Sequence, residues 1–412
     1  MSIFIDSMKF YLVIAAFTLM VWQSSAQKIT ISGKVVDKET REPLTFATVG
    51  INGKSIGTIT NLQGEFDFHI PQEYRNEIFL ISMLGYQSYE APVWSISTSG
   101  QVTFELTKST TVLNEVVVRD SLSGGDILRI ALSRIDQNFP TRPFMLEGFY
   151  RDVKKVANTN ISLLEAAVQI YDEDYSEPRN KFKLRERVRL LEVRKSIGYE
   201  SQFTTYFDQD NLLEDLLLHN NIRYRQIEAR EEMYNAMSRE PDSYYNGHEI
   251  YVISHTQDYL LKIFVDKQDY SIIHLEFEIG SSNELVGRKK NLISRFAGLK
   301  KTIDFRPVDG KMYLSFMSIT SKVTWHDIKT NELKFETELF QQLLINEIKP
   351  NTTERIGATE RMRNYGLQYQ DQPYNKEFWD NYNVIKDTPL DKKVLEDLEK
   401  AGPLNKQFQG DQ

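Results

Sequence analysis

Lys28-Ile29-Thr30-Ile31-Ser32-Gly33-Lys34-Val35-Val36-Asp37 opens the stretch that decides the fold, because apolar side chains recur at every second position and then meet a polar stop. A period of two sends one side of the chain into a core and leaves the other in solvent, which is the mark of a half-buried strand. The same rhythm, broken by turn residues, runs through Ala47–Ile51, Ser55–Thr60, Glu65–Ile70, Ile78–Leu84, Ser88–Val93, Gln101–Leu106 and Glu115–Val118. Short strands at this spacing predict a β-sandwich. Asn52-Gly53 predicts a type I′ hairpin, in which both central residues take positive φ. Asn61-Leu62-Gln63-Gly64 predicts a second tight turn, with Asn61 capping its own backbone and Gly64 left-handed.

Outward from this stretch, the N-terminal side carries Lys9, an apolar run from Phe10 to Phe17 that resumes through Leu19 to Trp22, and then Ser24-Ser25-Ala26-Gln27. A basic start, an apolar centre and a small-residue site predict a signal peptide over 1–26, cleaved after Ala26. The rival is a retained anchor, for which the run falls short of the roughly 20 apolar residues a spanning helix needs. The chain has 412 residues and no cysteine, so an exported fold must be held by burial rather than disulfides. Zero cysteine also removes a lipoprotein acylation site, thiol nucleophiles and thiolate metal sites. With 58 acidic against 50 basic residues the formal charge is −8, which gives no protein-wide field for nucleic acid.

The ordered set Ile31-Ser32-Gly33-Lys34-Val35-Val36-Asp37, Glu42-Pro43-Leu44-Thr45-Phe46-Ala47-Thr48-Val49, Gly57-Thr58 to Asn61-Leu62-Gln63-Gly64-Glu65-Phe66 and Ser82-Met83-Leu84-Gly85-Tyr86 resembles the carboxypeptidase-regulatory-like domain. The resemblance implies a transthyretin-like sandwich, found behind carboxypeptidase catalytic domains and in front of many TonB-dependent outer-membrane receptors. Leu113-Asn114-Glu115-Val116-Val117-Val118 is similar to the strand that leads into the plug of such receptors. Asn61 stands where the family often has Asp. Beyond residue 119 the chain lacks the many outward-apolar strands of a receptor barrel.

Ser121-Leu122-Ser123-Gly124-Gly125 reads as a flexible linker over 120–126, followed by a helix from Asp126 that ends near Phe139-Pro140. Long strands are predicted at Phe144–Val156 and Ser162–Tyr171, an alternating basic and apolar strand at Lys181–Lys195, and a helix at Asp208–His219. A meander then covers Glu249–His255, Tyr259–Val265, Ser271–Ile279, Leu299–Phe305, Lys311–Thr324 and Leu333–Ile345. The expected fold is mainly β and multidomain. A seven-stranded sandwich over 27–119 is followed, over 127–349, by an α+β domain with a large antiparallel sheet, half-barrel in shape, and a few helices. Its strand order has a looser similarity to the half-barrels of lipoprotein carriers. From 350 to 412 the chain reads as a polar tail that folds back on the main domain, with an aromatic knot at Phe378-Trp379 and Tyr382 and a terminal helix opened by Thr388-Pro389-Leu390.

The chemistry visible in the sequence is sparse. His69, His219, His248, His255, His274 and His326 fit neither metallocarboxypeptidase spacing nor His-Glu-x-x-His, and only His274 and Glu276 share a strand face. No Gly-x-Ser-x-Gly elbow, phosphate loop or dinucleotide fingerprint is present. Lys181, Lys183, Arg185, Arg187 and Arg189 would line one face of a strand, either as its solvated face or as a patch for an anion or an acidic partner. No cofactor, metal or catalytic residue is expected. The sequence predicts an exported, non-enzymatic protein of the periplasm or the periplasmic face of the outer membrane, accessory to uptake or assembly there. The sandwich would dock, and the sheet domain would bind an envelope protein partner, an apolar ligand or a glycan, with membrane association peripheral if any. A hydrolase acting on peptide or glycan and a periplasmic lipid or lipoprotein carrier are the alternatives.

Overall fold

The computed structural model describes residues 28–109, 121–200, 202–207, 211–282, 284–362, 366–370, 372–386 and 396–409. The expected signal peptide, the strand at Glu115–Val118 and the start of the helix at Thr388 lie outside the described residues.

Seven strands build the N-terminal unit: β1 (Lys28–Asp37), β2 (Thr48–Ile51), β3 (Gly57–Ile59), β4 (Glu65–Pro71), β5 (Ile78–Ser82), β6 (Tyr89–Pro92) and β7 (Gln101–Leu106). They form two facing sheets, β4-β1-β7 and β3-β2-β5-β6, with only β1 and β7 parallel. The expected sandwich is therefore present. Its core is aromatic: Phe66, Phe68, Phe79 and Phe104 are fully buried, with ring centroids 5.6–6.5 Å apart. Each such ring contributes about 1.5–3 kcal/mol of burial. Gly33 lets the rings reach the strand, since a Cβ there would sit 2.4 Å from Phe66 and 2.7 Å from Phe104.

The two tight turns differ in outcome. Asn61 Oδ1 accepts from the backbone N–H of Gln63 at 2.9 Å and of Glu65 at 2.8 Å, while Gly64 has φ +74°, as expected. At Asn52-Gly53 the type I′ expectation fails. Only Gly53 has positive φ, Lys54 N–H closes the turn onto the Ile51 carbonyl at 2.9 Å, and pairing resumes at Gly50 with Gly57. The connection is thus longer than a two-residue hairpin, because Ser55 and Ile56 are drawn off to the second unit.

That second unit centres on an eleven-stranded antiparallel sheet built from β8 (Phe144–Val156), β9 (Thr159–Asp172), β10 (Arg187–Lys195), β11 (Ser238–Tyr245), β12 (His248–His255), β13 (Leu260–Asp266), β14 (Ile272–Ile279), β15 (Leu285–Lys289), β16 (Leu292–Val308), β17 (Lys311–Asp327) and β18 (Leu333–Lys349). The order is β10-β9-β8-β18-β17-β16-β14-β13-β12-β11, with β15 pairing the first half of β16, and the sheet stays open. β11 and β15 carry no alternation that would have predicted them. The basic strand begins only at Arg187, and Lys181–Glu186 lies in turns, so the five cations do not share one strand face.

Both faces of the central strands are covered. Leu146 and Tyr150 of β8 belong to the core on the inner face, while Phe149 and Val153 belong to clusters on the back. Inner-face cover comes from α1 (Gly124–Ser133), α2 (Ile135–Asn138), α3 (Leu212–Leu218) and α4 (Glu231–Ala236). Ser123 and Asp126 form a capping box at the start of α1, a motif worth about 1 kcal/mol. Gly124 and Gly125 belong to that helix, not to a flexible linker. A Cβ on them would fall 2.7 Å and 2.3 Å from the carbonyl oxygens of Met237 and Tyr234, so glycine here permits close helix packing.

The back face carries the sandwich and the tail. Ile348 N–H donates to the Ser55 carbonyl at 3.0 Å, Ile56 bridges Glu347, and the Phe46 ring lies 5.1 Å from that of Phe316. Arg306 donates from Nη2 to the Ser55 carbonyl at 2.8 Å, and a Cβ at Gly57 would meet its Nη1 at 2.4 Å. Trp379 of α5 (Lys376–Asn381), with Tyr382 and Ile385, packs against Phe149, Ala167, Phe316 and Leu344 of the sheet and Ile59 of the sandwich. Beneath them Glu165 is held by Arg151 at 2.6 Å and Arg194 at 2.6 Å, and the Arg194 guanidinium covers the Trp379 ring at 4.3 Å. α6 (Leu404–Gln409) closes the tail with Leu398 and Leu404 against Val153 and Leu163. No helix among the described residues is long and apolar enough to cross a membrane.

Candidate functional site

The inner-face helices do not fill the space above the sheet. They leave a cavity of about 1220 Å³ over β17 and β18. Its floor is made by Ile319 and Ser321 of β17 and Leu339 and Gln341 of β18, which are direct cross-strand partners. Leu132 and Ile135, Leu212 and Leu218, and Ile227 and Tyr234 supply apolar walls. The α3 sequence explains its part: Leu213, Leu216 and Leu217 enter the core, while Leu212 and Leu218 turn to the cavity. Asn211 caps that helix by accepting from Glu214 N–H at 3.3 Å.

Gln341 fixes the floor chemically. Its Nε2 donates to the Tyr150 hydroxyl at 2.9 Å and to the Leu212 carbonyl at 2.8 Å, and Tyr150 in turn donates to Asp152 Oδ2 at 3.2 Å. Burial raises the Tyr150 phenol well above its ordinary value, so it remains a donor. At the C-terminus of α3, Lys301 Nζ donates to the His219 carbonyl at 3.4 Å and covers the Phe277 ring at 5.1 Å. Burial pushes Lys301 down to about 8, and burial with the Lys301 charge pushes His219, a lining residue, down to about 4. The imidazole is therefore neutral near pH 7.

The charged rim is internally neutralised. Arg129 pairs with Glu231 at 3.0 Å, Arg225 with Asp136 at 2.8 Å, Lys181 with Glu177 at 3.0 Å, and Arg230 with Glu228. Phe182, 84% exposed, projects at the mouth. The wall segments around Glu177 and Arg225 are locked from behind. Buried Arg223 donates to both oxygens of Asp172, at 2.5 Å and 3.0 Å, and Tyr224 donates its hydroxyl proton to buried Glu186. Burial, then the Asp172 charge, pushes Glu186 up to about 7.

The five cations singled out in the sequence are dispersed. Lys181 lies in the cavity wall, where its Nζ donates to the Arg225 carbonyl at 2.8 Å. Lys183 and Arg185 border a smaller neighbouring hollow of about 490 Å³, with Arg185 paired to Asp174 at 3.4 Å. Arg187 and Arg189 point to the back face. Arg187 donates to the Ile356 carbonyl at 3.1 Å, and Arg189 pairs with Glu354 at 2.7 Å and Glu360 at 2.8 Å. His274 and Glu276 do meet, at 3.2 Å, but Asp304 takes the other ring nitrogen at 2.5 Å. Among the described residues no group of three His, Asp or Glu is arranged to hold a metal ion. The cavity has no signature in the sequence because part of its wall comes from segments 177–182 and 219–230, which carry no periodicity.

Fold and cavity together define a mostly β protein of two joined units, a small sandwich and an open sheet with a hollow under its helices. Residues 31–118 match the family described as CarboxypepD_reg-like domain. The chain is also 36% identical over 157 residues to the TonB-dependent receptor SusC of Bacteroides thetaiotaomicron, a match that covers 36% of this chain and 15% of that receptor. Among solved structures, lipovitellin aligns at TM-score 0.25 and 9% identity over 56% of this chain and 28% of its own. A putative membrane-associated protein of unknown function from Bacteroides fragilis aligns at TM-score 0.16 and 11% identity, covering 78% of this chain and 98% of that one. Scores this low give no ground for carrying a ligand across.

Proposed function

We propose that this chain is an envelope-associated binding protein whose large sheet takes up an amphipathic ligand while the sandwich, fixed to the back of the sheet, serves as its docking module. The observation that carries this is the cavity of about 1220 Å³ with largely apolar walls, a floor that alternates aliphatic and polar side chains, and a rim of paired charges. An acyl-type chain laid on Ile319, Leu212, Leu218 and Leu339 gains roughly 0.8 kcal/mol per buried methylene. The rim pairs offer a polar head group both donors and acceptors. The volume exceeds the roughly 300–1,000 Å³ of pockets for small ligands, which suits a lipid or lipopeptide better than a metabolite. Placement in the envelope is supported by the matched domain and by the partial match to a TonB-dependent receptor.

Protein recovered from the envelope fraction, denatured in organic solvent and analysed by mass spectrometry, should release a stoichiometric amphiphile. A Ser321→Trp variant, which fills the floor of the cavity, should release none. Recovery of wild-type protein with no amphiphile, together with no uptake of a fluorescent phospholipid, would overturn the proposal. Turnover of a peptide or glycan by the same preparation would favour the hydrolase instead.

A further inference from the structure

We infer that a four-stranded tongue at one end of the large sheet is a contact site for an anionic lipid surface, independent of what the cavity holds. β14 pairs β16 only between Leu299 and Asp304, and β8 reaches β18 only from Thr337 onward. β15, the start of β16, the end of β17 and the start of β18 therefore run past their neighbours. Ile328 N–H donates to the Asn291 carbonyl at 2.9 Å, tying the two end turns into one tip.

The register places Leu285, Arg288, Ile293, Arg295, His326 and Leu333 on one face of the tongue. The other face is closed by Tyr206, whose ring lies 5.0 Å from both Trp325 and Phe335. On the open side and at the tip, Leu285, Val286, Ile328 and Leu333 are 45–59% exposed. Single exposed aliphatic residues need no explanation, but four on adjoining strand ends do. Around them stand Arg288, Lys290, Arg295, Lys329 and Lys334, against Glu284, Asp327, Glu332 and Glu336, while Lys289 turns to the other face, donating to the Thr205 carbonyl and covering the Tyr206 ring at 4.8 Å. Two of these acids are engaged locally: Asp327 accepts from the N–H of Lys329 and Thr330 at 2.8 Å and 3.1 Å, and Glu332 pairs with Lys334 at 3.0 Å. Five cations against four acids, with Lys334 and Glu332 paired to each other, leave this aliphatic tip a small positive excess on a chain of net charge −8.

A narrow projecting tip suits lipid better than protein. A stable protein partner needs roughly 800 Å² of matched surface on each side, whereas a membrane needs only apolar groups that can enter between head groups and cations that meet their charge.

Flotation of the envelope-purified protein with vesicles of equal parts phosphatidylglycerol and phosphatidylethanolamine tests this, with pure phosphatidylcholine vesicles as the neutral arm. Binding should favour the anionic vesicles, and Leu285→Ser with Leu333→Ser should weaken it by about tenfold. Arg288→Glu with Lys290→Glu, at exposed positions that leave the core untouched, should weaken it by at least as much and covers the case in which the leucine variant misfolds. Equal binding by folded variants, or no preference for anionic vesicles, overturns the inference. So does a dimer in sedimentation that the same substitutions dissolve, since the occupant would then be a second copy.

Discussion

Asn383 grips both backbone groups of His69. The His69 N–H donates to Asn383 Oδ1 at 2.8 Å, and Asn383 Nδ2 donates back to the His69 carbonyl at 3.3 Å. β4, which carries His69, is an edge strand of the sandwich, so this amide stands in for one rung of a missing neighbour. The Asn383 carbonyl also accepts from Asn346 of β18 at 2.7 Å. One tail residue thereby joins the sandwich to the large sheet. Asn383→Ala should cost about 1–2 kcal/mol and raise amide exchange along β4 without melting the sandwich, as read by hydrogen exchange.

Glu165 anchors the same tail from below. Burial alone would raise its carboxyl, but Arg194 and Arg151 outweigh that and hold it below the usual carboxylate range. A depressed carboxylate contributes stability above its unfolded value near 4.5, and that contribution disappears as pH falls through the folded value. Acid should therefore loosen the segment around Trp379 before the sandwich unfolds. Glu165→Gln should cost about 3–5 kcal/mol at neutral pH by stranding two buried guanidinium groups, measurable by denaturant unfolding.

Glu186 behaves oppositely. Its folded value, about 7, lies above the ordinary 4.5, so the native state holds the proton more tightly and stability falls as pH rises across that interval. Glu186→Gln keeps an acceptor for the Tyr224 hydroxyl while removing the charge. The variant should melt higher than wild type at pH 8 and match it near pH 5, by thermal unfolding in parallel buffers. A lower melting temperature at pH 8 would contradict the assignment.

His274 is a cation at neutral pH. Desolvation pulls its pKa down, but Asp304 and then Glu276 raise it to about 9. Its contribution is complete below the ordinary 6.5 and is lost as pH rises through the folded value. Imidazole resonances should show His274 protonated at pH 8 in wild type and titrating at lower pH in Asp304→Asn.

Much of the fold was legible because strands announce themselves. Gln101–Leu106 and Phe144–Val156 have the bounds expected from alternation. β11, Ser-Arg-Glu-Pro-Asp-Ser-Tyr-Tyr, was not legible, because an edge strand needs little apolar content and here holds a proline. Gly124 and Gly125 read as a linker because composition cannot distinguish freedom from close approach. The basic stretch was visible as a pattern but not as a site, since Glu354 and Glu360, which neutralise Arg189, lie more than 160 residues later in sequence. The cavity depends on where helices stop short of a sheet, a tertiary property with no local signature.

Titration of the protein with a fluorescent phospholipid, comparing wild type with Ser321→Trp and following emission as the probe leaves water, tests the central claim most directly. Saturable, one-to-one uptake by wild type and loss of at least tenfold in affinity in the filled variant, with both proteins melting alike, is the predicted result. Equal uptake by the two proteins, or none by wild type, would contradict it.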